Sequence, residues 1–234
     1  MAELDGSTIL VVGATGGLGR EIARLLSDAG ATLVLSARDP HDVAALGLPG
    51  TVIAADVSDP AAVRRLVDDA VAVNGHLDGV VVAAGVVAFG PAQTLSPDVL
   101  DSLLTVNTAA PILLLTAAHD ALAASAAAGR SPFLLTLSGV VSEKPTANLA
   151  AYSASKAGVA AFVAAAGREV RRVGIRLIDA RPGHTETALS SHPLAGTAPA
   201  LPAGLDPAAV AARIVRAIID GERDLPSSAF TPGG

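Results

Sequence analysis

Cysteine and tryptophan are absent from this 234-residue chain, tyrosine occurs once and lysine only twice. Without cysteine, disulfides, thiol nucleophiles and thiolate metal ligation are excluded, and the composition suits a reducing compartment. The five histidines are scattered with no His-x-x-x-His spacing, so they read as surface or loop residues rather than a zinc site. Although 51% of the chain is hydrophobic, Gly, Asp or His interrupts each apolar stretch before the roughly twenty residues that a membrane span needs. The start, Met1-Ala2-Glu3-Leu4-Asp5, is acidic and lacks a signal-peptide pattern, and the expectation is a cytoplasmic protein that binds no membrane. A formal charge of −6 argues against nucleic acid, whose binders need a concentrated positive face. Arg168, Arg171 and Arg172 read instead as a solvated helix end.

Lysine and arginine together number 16, so arginine supplies nearly every cation, and Lys156 is expected to do something a guanidinium cannot. An ammonium is compact and shifts the pKa of a neighbour. Lys156 stands four residues after Tyr152 in Ala151-Tyr152-Ser153-Ala154-Ser155-Lys156-Ala157. The alanine content of Leu149 to Gly167 predicts a helix, which brings phenol and ammonium onto one face. A free phenol, with a pKa near ~10, is a poor acid or base at neutral pH; a nearby cation brings it toward the working range. Taken alone, the pair is equally a tyrosine at the end of a core helix beside a solvated lysine, and other features must decide.

The strongest of these lies near the amino terminus. Ser7 to Val12 reads as a buried strand that runs into Gly13-Ala14-Thr15-Gly16-Gly17-Leu18-Gly19, and an amphipathic helix from Arg20 to Ala29 follows. Strand, glycine turn and helix make a phosphate cradle: glycine lets the backbone approach, and the helix start offers unpaired N–H groups and a positive dipole end. Further on, β-branched runs at Thr32 to Ser36, Thr51 to Ala55, Gly79 to Ala84, Phe133 to Ser138 and Ile175 to Ala180 read as strands, with alanine-rich helices between them. The strands lack polar alternation, as expected of a parallel sheet covered on both faces, and right-handed crossovers then give a doubly wound, three-layer α/β/α, Rossmann-like single domain over residues 1–234. Residues 184–205, rich in Pro, Gly, Ser and Thr, read as a mobile lid. A helix from Asp206 to Asp220 precedes a tail, Pro226 to Gly234, expected to be poorly ordered.

The glycine spacing Gly13, Gly17, Gly19 with Tyr152-x-Ala154-Ser155-Lys156 far downstream resembles the short-chain dehydrogenase/reductase family. Ala55-Asp56-Val57, Ala83-Ala84-Gly85, Asn107 and Pro182-Gly183 fit its order. The resemblance covers nearly the whole chain and implies hydride transfer between a nicotinamide and a carbonyl or secondary alcohol. Tyr152 would carry the proton, Lys156 would lower its pKa and hold the nicotinamide ribose, and Asn107 would support a water relay to the lysine or else bond locally. Gly13, Thr15, Gly16, Gly17, Leu18, Gly19, Asp56, Val57, Ala84, Gly85, Tyr152, Lys156, Pro182, Gly183, Thr185 and Thr187 are the implied cofactor contacts. Thr185 and Thr187 read equally as loop residues, and Asp56 competes for a helix-cap role for which Asp59 is better placed. Where an NAD enzyme would end its second strand in a carboxylate, this chain has Ala37 and then Arg38, which suits the 2′-phosphate of NADP; NAD stays possible, and Arg38 reads otherwise as the start of a solvated loop neutralised by Asp39.

Three positions depart from the family pattern. The substrate-binding serine, expected thirteen residues before Tyr152, falls on Gly139, so Ser138 is assigned on the assumption of a one-residue longer loop, with Ser142 as the fallback. Val82-Ala83-Ala84-Gly85 lacks two asparagines, and Val12 replaces a threonine. Val140, Val141, Phe89, Pro145 and Leu189 are candidate walls of a small apolar substrate pocket. The competing reading is a cofactor-sensing protein in which catalysis has decayed. The helices Pro97 to Ala128 and Leu149 to Arg172 carry small side chains suited to pairing in a homodimer or homotetramer, as is common in the family.

Overall fold

The computed structural model describes residues 4–200 and 202–230. Seven strands, β1 (Thr8–Val12), β2 (Thr32–Ala37), β3 (Thr51–Ala54), β4 (Gly79–Val82), β5 (Phe133–Leu137), β6 (Arg176–Ala180) and β7 (Asp224–Leu225), form one sheet in the order β3-β2-β1-β4-β5-β6-β7. Each adjacent pair is parallel. The reason lies in the side chains of β1: Ile9 and Val11 enter one apolar cluster while Leu10 and Val12 enter a second on the opposite face. A strand apolar on both sides must be covered on both sides. The first cluster takes α1 (Gly17–Asp28) and α7 (Pro207–Asp220), through Ile22, Leu26, Ile214 and Ile218; the second takes α3 (Pro60–Asn74), α5 (Ala110–Ala127) and α6 (Ala150–Val170), through Leu66, Leu114 and Val159.

Helix starts follow one local rule. The short α2 (Pro40–Ala44), α3, α4 (Pro97–Leu104) and α7 each begin with proline, preceded by Asp39, Asp59, Ser96 and Asp206, whose side chains accept from amides of the first turn. Proline has no amide to leave unpaired there and the preceding oxygen satisfies another. α1 differs: its N-cap is Gly16 and no side chain caps it. That open end lies where the strand order turns from β1 to β4, the place where an open α/β sheet leaves a crevice.

Two expectations need correction. The rod expected from Pro97 to Ala128 is broken by a π turn over Thr105–Ala109 between α4 and α5, with the Ala110 amide reaching back to the Thr105 carbonyl. Neither is the tail loose as far as it is described: Asp224–Leu225 forms β7, and Ser227–Phe230 makes a 3₁₀ turn that buries Phe230 in the α1/α7 cluster. Two apolar anchors, Leu225 and Phe230, outweigh the polar composition around them; residues 231–234 lie outside the described residues. The rod Pro97–Ala127 is long and apolar enough by composition to cross a membrane, but here its Leu103, Ala110, Leu114, Ala118 and Leu122 are buried within the fold.

The segment 184–205 is irregular, as its composition predicts, apart from a 3₁₀ turn at Ala188–Ser191. Residue 201 lies outside the described residues. The segment is strapped down at two places, by the Leu194 amide to the Val87 carbonyl (2.8 Å) and the Phe89 amide to the Ala195 carbonyl (2.9 Å). At its base Thr185 bridges Leu205.

Candidate active site

The turn after β1 is shaped by contacts only glycine permits. Gly13 has φ +83°, and a Cβ there would lie 2.4 Å from the Ala84 amide nitrogen, so the ends of β1 and β4 meet backbone to backbone. At Gly19 a Cβ would lie 2.1 Å from the Gly13 carbonyl oxygen, which lets the first turn of α1 sit against the strand end. Gly17 lies against the Thr187 methyl, while Thr15 and Gly16 are exposed. The amides of Gly17, Leu18 and Gly19 have no helix partner by position, and no acidic residue stands in the first turn. This is a donor set with a positive dipole end and no competing carboxylate, and a dinucleotide pyrophosphate fits it.

Tyr152 and Lys156 share one face of α6, as their spacing predicts. The ammonium lies 5.9 Å from the centre of the phenol ring. Lys156 is buried and donates to the Leu137 carbonyl at 2.8 Å. The expected depression of the phenol is not what the protein's own groups produce: burial pushes Tyr152 up to about 12. Burial brings Lys156 down to about 8, opposed by the negative charge of Asp179. The ammonium is turned to a carbonyl rather than to the phenolic oxygen, so desolvation governs both groups.

Asn107 sits inside the π turn and is buried. It does not bond locally: its carbonyl oxygen accepts from the Val86 amide (3.0 Å) and its amide donates to the Val86 carbonyl (2.9 Å) and to Ser155 Oγ (3.0 Å). Ser155 in turn donates to the Tyr152 carbonyl (2.8 Å), and Thr108 Oγ1 to the Ser155 carbonyl (2.7 Å). The strand end at Ala84-Gly85-Val86 and the first turns of α6 are thereby locked together. A Cβ on Gly85 would lie 3.4 Å from both Asn107 Oδ1 and Lys156 Nζ.

Ser138 is engaged within the protein. Its side chain is buried and donates to Asp179 Oδ2 at 2.7 Å, a proton already committed. The cause is sheet geometry: Thr136 faces Asp179 across the β5–β6 register, and Ser138, two residues on, falls on the same face. The chain turns immediately after it, at Gly139, φ +73°. Ser142, half-buried in the 3₁₀ turn Val140–Ser142, donates to the Gly139 carbonyl at 2.7 Å and lies 3.1 Å from Ser138 Oγ. It is the more accessible of the two hydroxyls.

Arg38 is exposed just past β2, and among the described residues it has no ion pair within 4.0 Å. Asp39 is not spent on it, since its carboxylate accepts from the His41 amide at 2.8 Å as the α2 cap. Asp56 accepts from the Ser58 amide and hydroxyl (2.9 and 2.8 Å), contacts that hold it below the usual carboxylate range with a smaller contribution from Arg38. Asp59 caps α3. Val57 is buried. On the other side of the crevice the Pro182 carbonyl accepts from the Val140 amide (2.9 Å), the Gly183 carbonyl from Thr185 Oγ1 (3.0 Å), and the Thr185 carbonyl from the Thr187 amide (2.7 Å). A cavity of about 90 Å³ is lined by Phe89, Pro91, Leu95, Leu149, Ala151 and Ala195 among others. Of the candidate pocket walls only Phe89 borders it. Sequence reasoning passed over Ser155, Glu143, Asp179 and Arg181; a carboxylate within a buried apolar strand was the signal for Asp179.

A family model described as short chain dehydrogenase matches residues 7–195. A versicolorin reductase of Emericella nidulans is 36% identical over 168 residues, 68% of this chain and 62% of that protein; the match thus spans less than two thirds of the relative's length. A 3-oxoacyl-[acyl-carrier-protein] reductase of Salmonella typhimurium is 30% identical over 208 residues, 86% of this chain and 84% of that protein. A metagenomic short-chain oxidoreductase, solved in complex with NADP, superposes with a TM-score of 0.80 at 29% identity, covering 96% of this chain and 97% of that one. Cradle, paired tyrosine and lysine, sheet order and matched residues agree: the chain belongs to the short chain dehydrogenase family.

Proposed function

We propose that this chain is an NADP-dependent oxidoreductase that transfers a hydride between the nicotinamide and a small, rather apolar carbonyl or secondary alcohol, in the cytoplasm and as a homodimer or homotetramer. The observation that carries the reading is the convergence of Tyr152, Lys156 and Asn107 on one crevice with the glycine cradle, in a chain with a single tyrosine and two lysines. NADP, when bound, supplies or takes the hydride. The amides of Gly17 to Gly19 would hold its pyrophosphate, with Thr15 and Gly16 at the mouth; Asp56, Val57, Ala84 and Gly85 would border the adenosine side, and Pro182, Gly183, Thr185 and Thr187 the nicotinamide side. Arg38, whose neighbour Asp39 is engaged as the α2 cap, would take the 2′-phosphate, and the similar oxidoreductase solved with NADP supports that choice.

In the reducing direction Tyr152 donates its phenolic proton to the oxygen that becomes the alcohol, and Lys156 supplies positive charge beside it. Asn107 fixes the Val86 peptide and feeds the proton route to Lys156. Ser142 takes over the substrate-oxygen contact first assigned to Ser138. A second reading, an NADP-binding sensor, draws on one feature: the Ser138 hydroxyl is given to Asp179.

The test is a fluorescence titration of wild-type protein and Tyr152→Phe with NADPH and NADH, followed by a panel of small ketones and aldehydes. NADPH should bind more tightly than NADH, to about the same degree in both proteins, and turnover should fall by at least ~100-fold in the variant. Equal turnover would remove Tyr152 from the mechanism. Preference for NADH would refute the role of Arg38. Tight NADPH binding with no turnover would favour the sensor.

A further inference from the structure

Asp179 stands in the middle of β6 and is buried. A carboxylate taken out of water needs hydrogen-bonded partners. Asp179 has three: Thr136 Oγ1 to Oδ1 at 2.9 Å, Ser138 Oγ to Oδ2 at 2.7 Å, and Arg181 Nη1 to Oδ2 at 3.0 Å. Arg181 also donates to Glu143 Oε1 and Asp224 Oδ1, both at 2.5 Å, and Glu143 accepts from the Ser227 amide (3.2 Å) and hydroxyl (2.5 Å). One network therefore joins the end of β5, the turn after it, β6, and the segment from β7 to the last 3₁₀ turn. On its inner side the peptide just before Ser138 presents the Leu137 carbonyl, the acceptor for Lys156.

We propose that Asp179 is a positioning residue of the active site: it fixes Ser138 and so the Leu137 carbonyl on which the Lys156 ammonium rests, and its negative charge is the counter-charge of that ammonium. The assignment rests on reading Lys156 as part of the site. Arg181 holds Asp179 in place and makes Glu143 and the segment Asp224–Phe230 part of the site's support. Burial opposes the charge on Lys156 and Asp179 favours it. The other charged groups around the pair are Arg181 just past β6, Glu143 beyond it, Arg168 on α6 and Arg171 just after it, and Arg223 and Asp224 at the start of β7. All of these except Glu143 line one outer cleft of about 440 Å³ with Asp179.

The test follows the lysine itself and needs no substrate. The chain has two lysines, so lysine-selective ¹⁵N or ¹³C NMR gives two signals, and Lys144→Arg identifies the one from Lys156. In wild-type protein Lys156 should titrate near 8. Asp179→Asn should lower its midpoint by about one pH unit and leave Lys144 where it was. Arg181→Gln, which keeps the carboxylate and removes its cation, should raise the midpoint. Superposable Lys156 curves in wild type and Asp179→Asn would overturn the assignment. If Asp179→Asn does not fold, Arg181→Gln decides alone, and an unmoved or lowered midpoint overturns it. Shifted midpoints in a protein that turns over no carbonyl would leave the positioning role standing and remove the reductase reading instead.

Discussion

Tyr152 and Lys156 are moved in opposite directions by the same cause. Burial keeps the phenol protonated to about 12, as a proton donor must be, and lets the ammonium lose its charge above about 8. On the proposed mechanism Lys156 would set the working range: below its midpoint the cation is present, above it the positive charge is lost while the phenol is unchanged. Carbonyl reduction should fall as pH rises through about 8, and a kcat profile that stayed flat to pH 10 would detach the lysine from the chemistry. The pair was legible in the sequence because both residue types are scarce. The direction in which Ser138 points was not. It depends on alternation along β5 and on a carboxylate 41 residues further along the chain, and no local pattern around Leu137-Ser138-Gly139 carries that information.

Among elements, the β1 turn α1 unit shows how tightly backbone approach governs the cradle. Gly13 combines a positive φ with a Cβ position 2.4 Å from backbone, and neither can be relieved by a rotamer. Gly13→Ala should cost about 3 kcal/mol of stability and abolish NADPH binding, read by urea unfolding and by the fluorescence titration; a stable variant with ordinary affinity would show that the β1 and β4 ends can separate. This unit and the Asp59 cap of α3 could be read from the sequence because each signal lies within a few residues; Asp39, read there as a neutraliser of Arg38, caps α2 instead. β7 could not, since two residues carry no period, and Phe230 finds its place only through contacts with α1 and α7. The π turn had only a partial local signal: Pro111, at the start of α5, has no amide to give the Asn107 carbonyl four residues back, while the clamp that Asn107 makes on Val86 comes from 21 residues away.

At the scale of the whole molecule, the outer faces of the rod and of α6 are left partly uncovered. Leu104 is 39% exposed, and Ala154, Ala161, Ala164 and Ala165 are exposed along α6. Small side chains permit close helix approach, and this is the surface through which copies of the chain are expected to pair. Light scattering should give a dimer or tetramer for wild-type protein and a monomer for Ala161→Arg with unchanged unfolding; wild-type monomer at micromolar concentration would count against the assembly. The doubly wound parallel sheet was readable from the alternation of strand and helix, whereas the network through Arg181 was not, because its charged and hydroxyl members come from separate segments that only the fold brings together. The wide turn at Thr105–Ala109 also bears on what change the molecule tolerates. It threads one extra residue into a helix, so the halves of the rod are offset by about 100° relative to a continuous α-helix. Deleting a residue there would swing Asn107 away from Val86 and Ser155 and release the strand end from α6, while Pro111 would still have no amide to give a helical carbonyl; the extra residue in this stretch is what lets one side chain hold two elements at once.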